Sequence, residues 1–391
     1  MIKRIRDKVL DYLPEGDAQS GIILVLCALG SLLLANLPAT STGYTLLWHH
    51  EIASGWSLLH FINDILMTVF FYVVGLEIKK ELLGGELAHL KKAILPFFAA
   101  LGGMLVPALI YTAFNFGTPD IKGWGVPTAT DIAFSIGILA LLGTRIPKGL
   151  KVFLVALAII DDLGAVVVIA LFYSQGVSAA YILAAFAVTA GLYALHRYLN
   201  FYRPWLWLLT GVLIWYLVHY SGIHATISGV MLAMATPLLY KKRFPIREME
   251  HLFHVPVNKF VVPLFAISNT AIILNGGVVS GIGTHLGLGI ILGLSLGKPM
   301  GIALFTWIAD KLGWADLPTG VGYRMIIGVG MLAGIGFTMS LFVSFLAFDD
   351  PYRQDVAKLA IMVGSVIAGI AGLVYLKSVA NKQVPGRKKP R

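Results

Sequence analysis

Asp161 and Asp162 are adjacent acids in the middle of an apolar stretch, residues 152–170. A third acid, Asp131, lies one apolar stretch earlier, beside Thr128 and Thr130. Lys298 lies deep in a much later one, between Gly297 and Pro299. A charged side chain at the centre of a bilayer costs ~3 kcal/mol or more, so an ionisable residue there marks a site. Two close carboxylates in a low-dielectric setting cannot both stay ionised cheaply, so each holds a proton or shares a cation. Oxygen ligands suit a small hard cation such as Na⁺ or Li⁺. The chemistry these residues point to is cation and proton handling inside a membrane. Neighbouring helical positions point about 100° apart. The two aspartates therefore do not clasp one ion from a single face: one faces a cavity while the other faces a partner such as Lys298.

Such residues need elements to hold them in hydrocarbon. The chain has 391 residues, 58% of them hydrophobic and only 13% charged, which excludes a soluble enzyme of this size. Apolar stretches of membrane-crossing length recur along it. Their centres fall near residues 29, 68, 103, 133, 161, 188, 212, 231, 265, 297, 334 and 366. The expected fold is an all-α integral membrane protein of about twelve transmembrane helices. It is read as a single transmembrane domain over residues 1–391, with a basic N-terminal segment at 1–17 and a basic tail at 378–391. Residues 2–13 read as a basic interfacial helix before an uncleaved first span. The 40–54 loop reads as a small extracytoplasmic hairpin and a candidate dimer contact. Cys27 is the only cysteine, which excludes disulfides within the chain and any cysteine-based metal centre.

The net charge of +10 is a topology signal rather than a nucleic-acid footprint, because the basic residues alternate between loops. Of 30 Lys and Arg, 25 lie on one set of alternate loops and tails. By the positive-inside rule both termini are cytoplasmic and the span count is even.

Two spans read as interrupted. The fourth carries Pro127, Thr128, Thr130 and Asp131, and the eleventh carries Gly328, Gly330, Gly334 and Gly336. Pro removes a backbone donor and Gly lowers helix propensity. Unwound backbone in a membrane is tolerated only where protein buries it or it lines a cavity, and exposed helix ends need a counter-charge. For the glycine run alone, close helix packing explains the pattern equally well.

Four segments in order, each on its own span, closely resemble the NhaA family of bacterial Na⁺/H⁺ antiporters. They are Thr128-Ala-Thr-Asp-Ile-Ala-Phe134, Ala156-Leu-Ala-Ile-Ile-Asp-Asp-Leu-Gly-Ala165, Gly297-Lys-Pro-Met-Gly301 and Gly334-Ile-Gly-Phe-Thr-Met-Ser340. The similarity runs from about residue 18 to 377. The resemblance implies two inverted-topology repeats, spans three to five and ten to twelve, whose interrupted helices cross near the midplane. It implies that Asp131 compensates the positive helix ends there and Lys298 the negative ones. Asp162 is then the main cation ligand, with Asp161 and Thr130 beside it, and Asp161 pairs with Lys298 until sodium enters. It further implies an inner-membrane homodimer that exports Na⁺ or Li⁺ against protons. Transport would be electrogenic and activated at alkaline pH, with no cofactor, serving pH and sodium homeostasis. Thr128 departs from the small apolar residue of many relatives and is a candidate to change cation affinity.

The remaining candidates have competing readings. Glu77 and Glu81 read from sequence as a solvated helix end; in the family the matching acids, with that matching Glu250, take part in pH response. His224 carries an imidazole, which titrates in the physiological range; a lone histidine near a membrane face is otherwise just a hydrogen-bonding group. Asp64 is a structural or mechanistic acid. His251 and His254 with Glu250 lack further ligands for a metal centre. Of other function classes, an intramembrane aspartyl protease would carry Gly-x-Gly-Asp, which the residues around Asp161 do not match. An organic-solute symporter would need a roomier polar cavity, and a passive channel would not need a titratable doublet.

Overall fold

A computed structural model describes residues 17–383, except 54 and 175. The expected interfacial helix at 2–13 and the end of the basic tail, 384–391, lie outside the described residues.

The described chain is helical apart from one small hairpin. A helix, or the break between two helices, stands at each of the twelve expected span centres. Six helices are long and apolar enough to cross a membrane: Leu58–Gly84, Lys91–Asn115, Lys148–Phe172, Ala179–Leu199, His285–Lys311 and Pro351–Asn381. We call these spans two, three, five, six, ten and twelve. Large apolar side chains such as Leu183, Phe186, Leu209, Val366 and Ile370 are exposed along their helices. That is surface suited to lipid rather than to water.

The uniform span lengths expected from hydropathy are not found. Span seven is the 16-residue helix Pro204–His219, and span eight is only the nine-residue helix Ile227–Ala235. At 1.5 Å per residue, nine residues reach ~14 Å, about half the hydrocarbon thickness. Pro237 stops span eight, because the residue before a proline is driven out of the helical region; Thr236 is extended, with ψ 127°. The 40–54 loop also differs from expectation. Its first half is a helix, Ser41–His49, bent by 115° from the first span, and the hairpin that follows pairs Glu51–Ala53 with Trp56–Ser57.

Both expected interruptions are present. In span four, Pro119–Thr128 is a 3₁₀ helix, the next three residues are non-helical, and the α-helix Ile132–Leu141 resumes at an angle of 43°. In span eleven, Tyr323–Ala333 and Phe337–Ala347 meet at 51° across residues 334–336. Spans two and ten each contain one π-helical turn, Ile62–Leu66 and Gly293–Gly297. Such turns insert a residue and swing the following side chains round the axis. Lys298 is the first residue after the second of them.

The chain forms two compact units, each gathered from separated stretches. Among the described residues the first comprises 17–29, 94–161 and 274–383; it therefore unites most of span three, span four and the first half of span five with spans ten to twelve. Within it, spans three and ten approach backbone to backbone: a Cβ on Gly102 would overlap the carbonyl of Gly301, and the reverse holds too. The second comprises Gly30–Ala93 and Asp162–Ile273, with a core around Tyr72, Leu76, Trp207 and Ile214.

Candidate cation site

The polar centre of the first unit is built where the two broken spans pass each other. The amide of Asp131 donates to the carbonyl of Ile335 at 2.7 Å. The Thr130 hydroxyl donates to Ala333 O at 2.9 Å and the Ser135 hydroxyl to Leu332 O at 2.8 Å. Conversely, the Ser340 hydroxyl donates to Val126 O at 2.8 Å. Residues after each break thus bond to residues before the other, so the two segments run antiparallel. These bonds bring donors to carbonyls at the interruptions, where the regular helical ladder stops; Leu332 O also accepts from the Ile335 amide at 3.0 Å.

Asp131 is only 3% exposed and serves two helix starts at once. Its Oδ1 accepts from the Phe134 amide at 3.0 Å, capping Ile132–Leu141. Its Oδ2 accepts from the Thr338 amide at 3.2 Å and from the Thr338 hydroxyl at 2.5 Å, at the start of Phe337–Ala347. The Ser365 hydroxyl accepts from the Phe337 amide at 3.2 Å. One carboxylate therefore faces the positive ends of two helices, where a negative charge is stabilised by the aligned peptide dipoles.

Lys298 is fully buried, and its ammonium donates to Thr130 Oγ1 at 2.5 Å and to Asp161 Oδ2 at 2.6 Å. Thr130 passes that hydrogen bond on to Ala333 O, the end of Tyr323–Ala333. The positive charge thus acts on the negative helix end through a hydroxyl rather than by direct contact. The Lys298 stem runs past Gly103, where there is no side chain to obstruct it. Asp161 is 1% exposed, and its Oδ1 has no hydrogen-bond partner among the described residues. A buried carboxylate with one oxygen on an ammonium and one unsatisfied has acceptor capacity to spare. Asp162, 2% exposed, is the next residue of the same continuous helix and begins the second unit.

Apart from Thr128, the other candidates lie in the second unit. His224 Nε2 is 3.3 Å from Asp64 Oδ1, and its Nδ1 is 2.9 Å from Thr226 Oγ1. Lys80 donates to Glu250 at 2.5 Å, and Glu77 lies in electrostatic range of both and of Glu81. Glu81 also accepts from the Glu86 amide at 3.0 Å, which caps the following turn. His254 bonds to Asn258. Thr128, the candidate for altered affinity, turns its hydroxyl to Gly125 O at 2.7 Å, within its own segment.

Sequence reasoning did not single out Thr338, Ser135, Ser340 or Ser365 as members of the centre. Thr338 and Ser340 stand in a quoted motif, but nothing in their spacing told where the hydroxyls point.

A family model described as Na⁺/H⁺ antiporter 1 matches residues 13–376. The chain belongs to the NhaA family of Na⁺/H⁺ antiporters. Its similarity to individual members of this antiporter family extends end to end. It is 45% identical over 392 residues to Na(+)/H(+) antiporter NhaA 2 of Flavobacterium johnsoniae, covering 98% of this chain and 96% of that protein. With the NhaA antiporter of Salmonella arizonae it shares 45% identity, covering 94% of this chain and 97% of that protein. With that of Escherichia coli O139:H28 it also shares 45%, covering 93% and 96%. The family assignment and the apolar helices make this a multi-pass membrane protein.

Proposed function

We propose that this antiporter-family chain exports cytoplasmic Na⁺ or Li⁺ across the inner membrane in exchange for protons, using Asp161, Asp162 and Thr130 as ligands. The observation that carries the reading is the Lys298–Asp161 pair. A carboxylate held by a side-chain ammonium, with a second oxygen unsatisfied, is able to trade that ammonium for a metal cation or a proton. Mutual exclusion of cation and proton at one centre, opened alternately to either side, couples the two flows. Asp131 and Lys298 act as counter-charges that keep the broken helix ends stable while the centre changes occupant.

The finer features follow from family membership and charge pattern. Both termini face the cytoplasm, since 25 of 30 Lys and Arg lie on one set of loops and tails. More protons than sodium ions move per cycle, so transport is electrogenic. Glu77, Glu81, Glu250 and His224 take part in activation at alkaline pH. The chain works as a homodimer, needs no cofactor and forms no covalent bond, so it is a transporter and not an enzyme.

The test uses purified protein in liposomes with an imposed pH gradient and an internal pH dye. Na⁺, Li⁺, K⁺ and choline are added in turn, with Asp162→Asn as control. Collapse of the gradient by Na⁺ or Li⁺, absent in the variant, is the expected result. Identical behaviour of wild type and variant with every cation defeats the proposal.

A further inference from the structure

Lys79 sits on span two and reads in sequence as part of a solvated helix end, yet it is only 8% exposed. Its ammonium donates to Met234 O at 2.5 Å and to Thr236 O at 2.6 Å. These carbonyls belong to the abrupt end of Ile227–Ala235, and all the groups concerned lie in the second unit.

The accounting at that end is complete. Leu232 O accepts from the Thr236 amide at 3.0 Å and the Thr236 hydroxyl at 2.9 Å, and Ala233 O accepts from the same amide at 3.1 Å. Ala235 O accepts from Trp207 Nε1 at 3.4 Å. Lys79 takes Met234 O and Thr236 O, and Pro237 O accepts from the Ile246 amide at 3.1 Å. A helix that Pro237 forces to stop inside the protein thus meets a cation at its negative end.

The same two helices are joined closely along their length. A Cβ on Gly229 would overlap the Thr68 carbonyl, and one on Gly75 would lie 2.7 Å from Ala233 Cβ. Span two and Ile227–Ala235 therefore pack backbone on backbone, and Lys79 closes one end of that seam. The next residue, Lys80, points elsewhere, to Glu250 on the helix Pro245–Pro256. That helix begins at Pro245, directly after the turn whose Pro237–Ile246 bond ties it to the carbonyl end held by Lys79. Two consecutive lysines thus grip one corner of the chain at two points, the first on backbone and the second on a carboxylate.

We propose that Lys79 is a positioning residue for transport: by holding the carbonyl end of Ile227–Ala235 it sets the geometry in which Lys80 meets Glu250. The proposal rests on the antiport reading and extends it to a residue that touches no cation. His196 on span six lies in electrostatic range of Lys79, and the Tyr72 hydroxyl is 3.3 Å from Thr236 Oγ1; Lys80 beside it pairs with Glu250, with Glu77 in range of that pair and of Glu81.

The experiment measures Na⁺-driven proton exchange in liposomes as apparent KM and Vmax, for full-length wild type, Lys79→Gln, Lys79→Arg, Lys80→Gln, Lys79→Gln with Lys80→Gln, and Trp207→Phe. Lys79→Gln is expected to raise KM roughly fivefold or more, the scale of a typical coupling between sites, while Vmax changes less. Lys79→Arg keeps charge and donors and restores KM. Trp207→Phe removes a neighbouring carbonyl's donor but not the cation, and leaves KM unchanged. In the Lys80→Gln background the added Lys79→Gln change has little further effect. The proposal is overturned if folded Lys79→Gln has the wild-type KM, or if its effect persists undiminished without Lys80. It is equally overturned if Lys79→Gln fails to fold while Lys79→Arg behaves as wild type, since Lys79 then serves the fold alone. No exchange by wild type defeats the antiport reading and the clamp with it; exchange by wild type with unaltered variants defeats only the clamp.

Discussion

The buried pair at the crossing makes a prediction with an unusual sign. Lys298 and Asp161 are 0% and 1% exposed and lie 2.6 Å apart. At an effective dielectric constant of about 20 their attraction is ~6 kcal/mol, but desolvating each ion opposes it by several kcal/mol. The pair itself is therefore close to neutral for stability. Removing one member is not, because the other stays buried without its counter-charge, at a cost of ~3–5 kcal/mol. Lys298→Met and Asp161→Asn should each destabilise the protein by about that amount. The double variant, with neither charge, should recover most of the loss, giving a coupling nearly as large as the two single effects together. Thermal unfolding of detergent-purified protein, followed by tryptophan fluorescence and checked by size-exclusion chromatography, measures all four corners of this cycle. Additive losses, with the double variant less stable than either single, would refute the reasoning. They would mean that each side chain is held by contacts other than its partner.

Further outcomes follow from the same geometry. Thr338→Val removes the hydroxyl from Asp131 but leaves two backbone amides on that carboxylate. It should cost ~1.5–3 kcal/mol, as for a hydrogen bond to a charged group, visible in the same unfolding assay. Gly301→Ala places a methyl group against the Gly102 carbonyl and should force spans three and ten apart at a cost of ~1–3 kcal/mol. Its folded yield in the membrane should fall well below that of Gly313→Ala, where no atom lies within 4 Å, although the positive φ of 69° there adds its own strain.

What the sequence made legible follows a physical pattern. Asp131, Asp161, Asp162 and Lys298 stood out because charges inside apolar stretches are conspicuous against their background. The break in span four was legible from Pro127 close to an acid, whereas the glycine run of span eleven fitted close packing equally well, and its break rested on the family resemblance. The hydroxyls of the crossing were not legible. Most Ser and Thr in these spans return their proton to a carbonyl one turn back, as Thr68, Ser174, Thr210 and Ser295 do. Nothing local distinguishes them from Thr130, Ser135 and Ser340, which bond across to another segment. Lys79 and Lys80 show the same limit. They are adjacent and identical, yet one is buried on a helix end and the other pairs with Glu250, because only the packing of Ile227–Ala235 against span two tells them apart. The short span eight escaped a hydropathy reading because apolar residues continue on both sides of Thr236 while the helix does not.

Coupled exchange requires a cation and protons to compete at one buried centre. The most direct measurement is proton release on adding Na⁺ to purified wild-type protein in weakly buffered detergent solution, compared with Asp162→Asn and with choline addition. Release of protons that saturates with Na⁺, seen neither with choline nor in the variant, is the predicted result. Saturable Na⁺ binding by calorimetry with no proton released at any pH would contradict it.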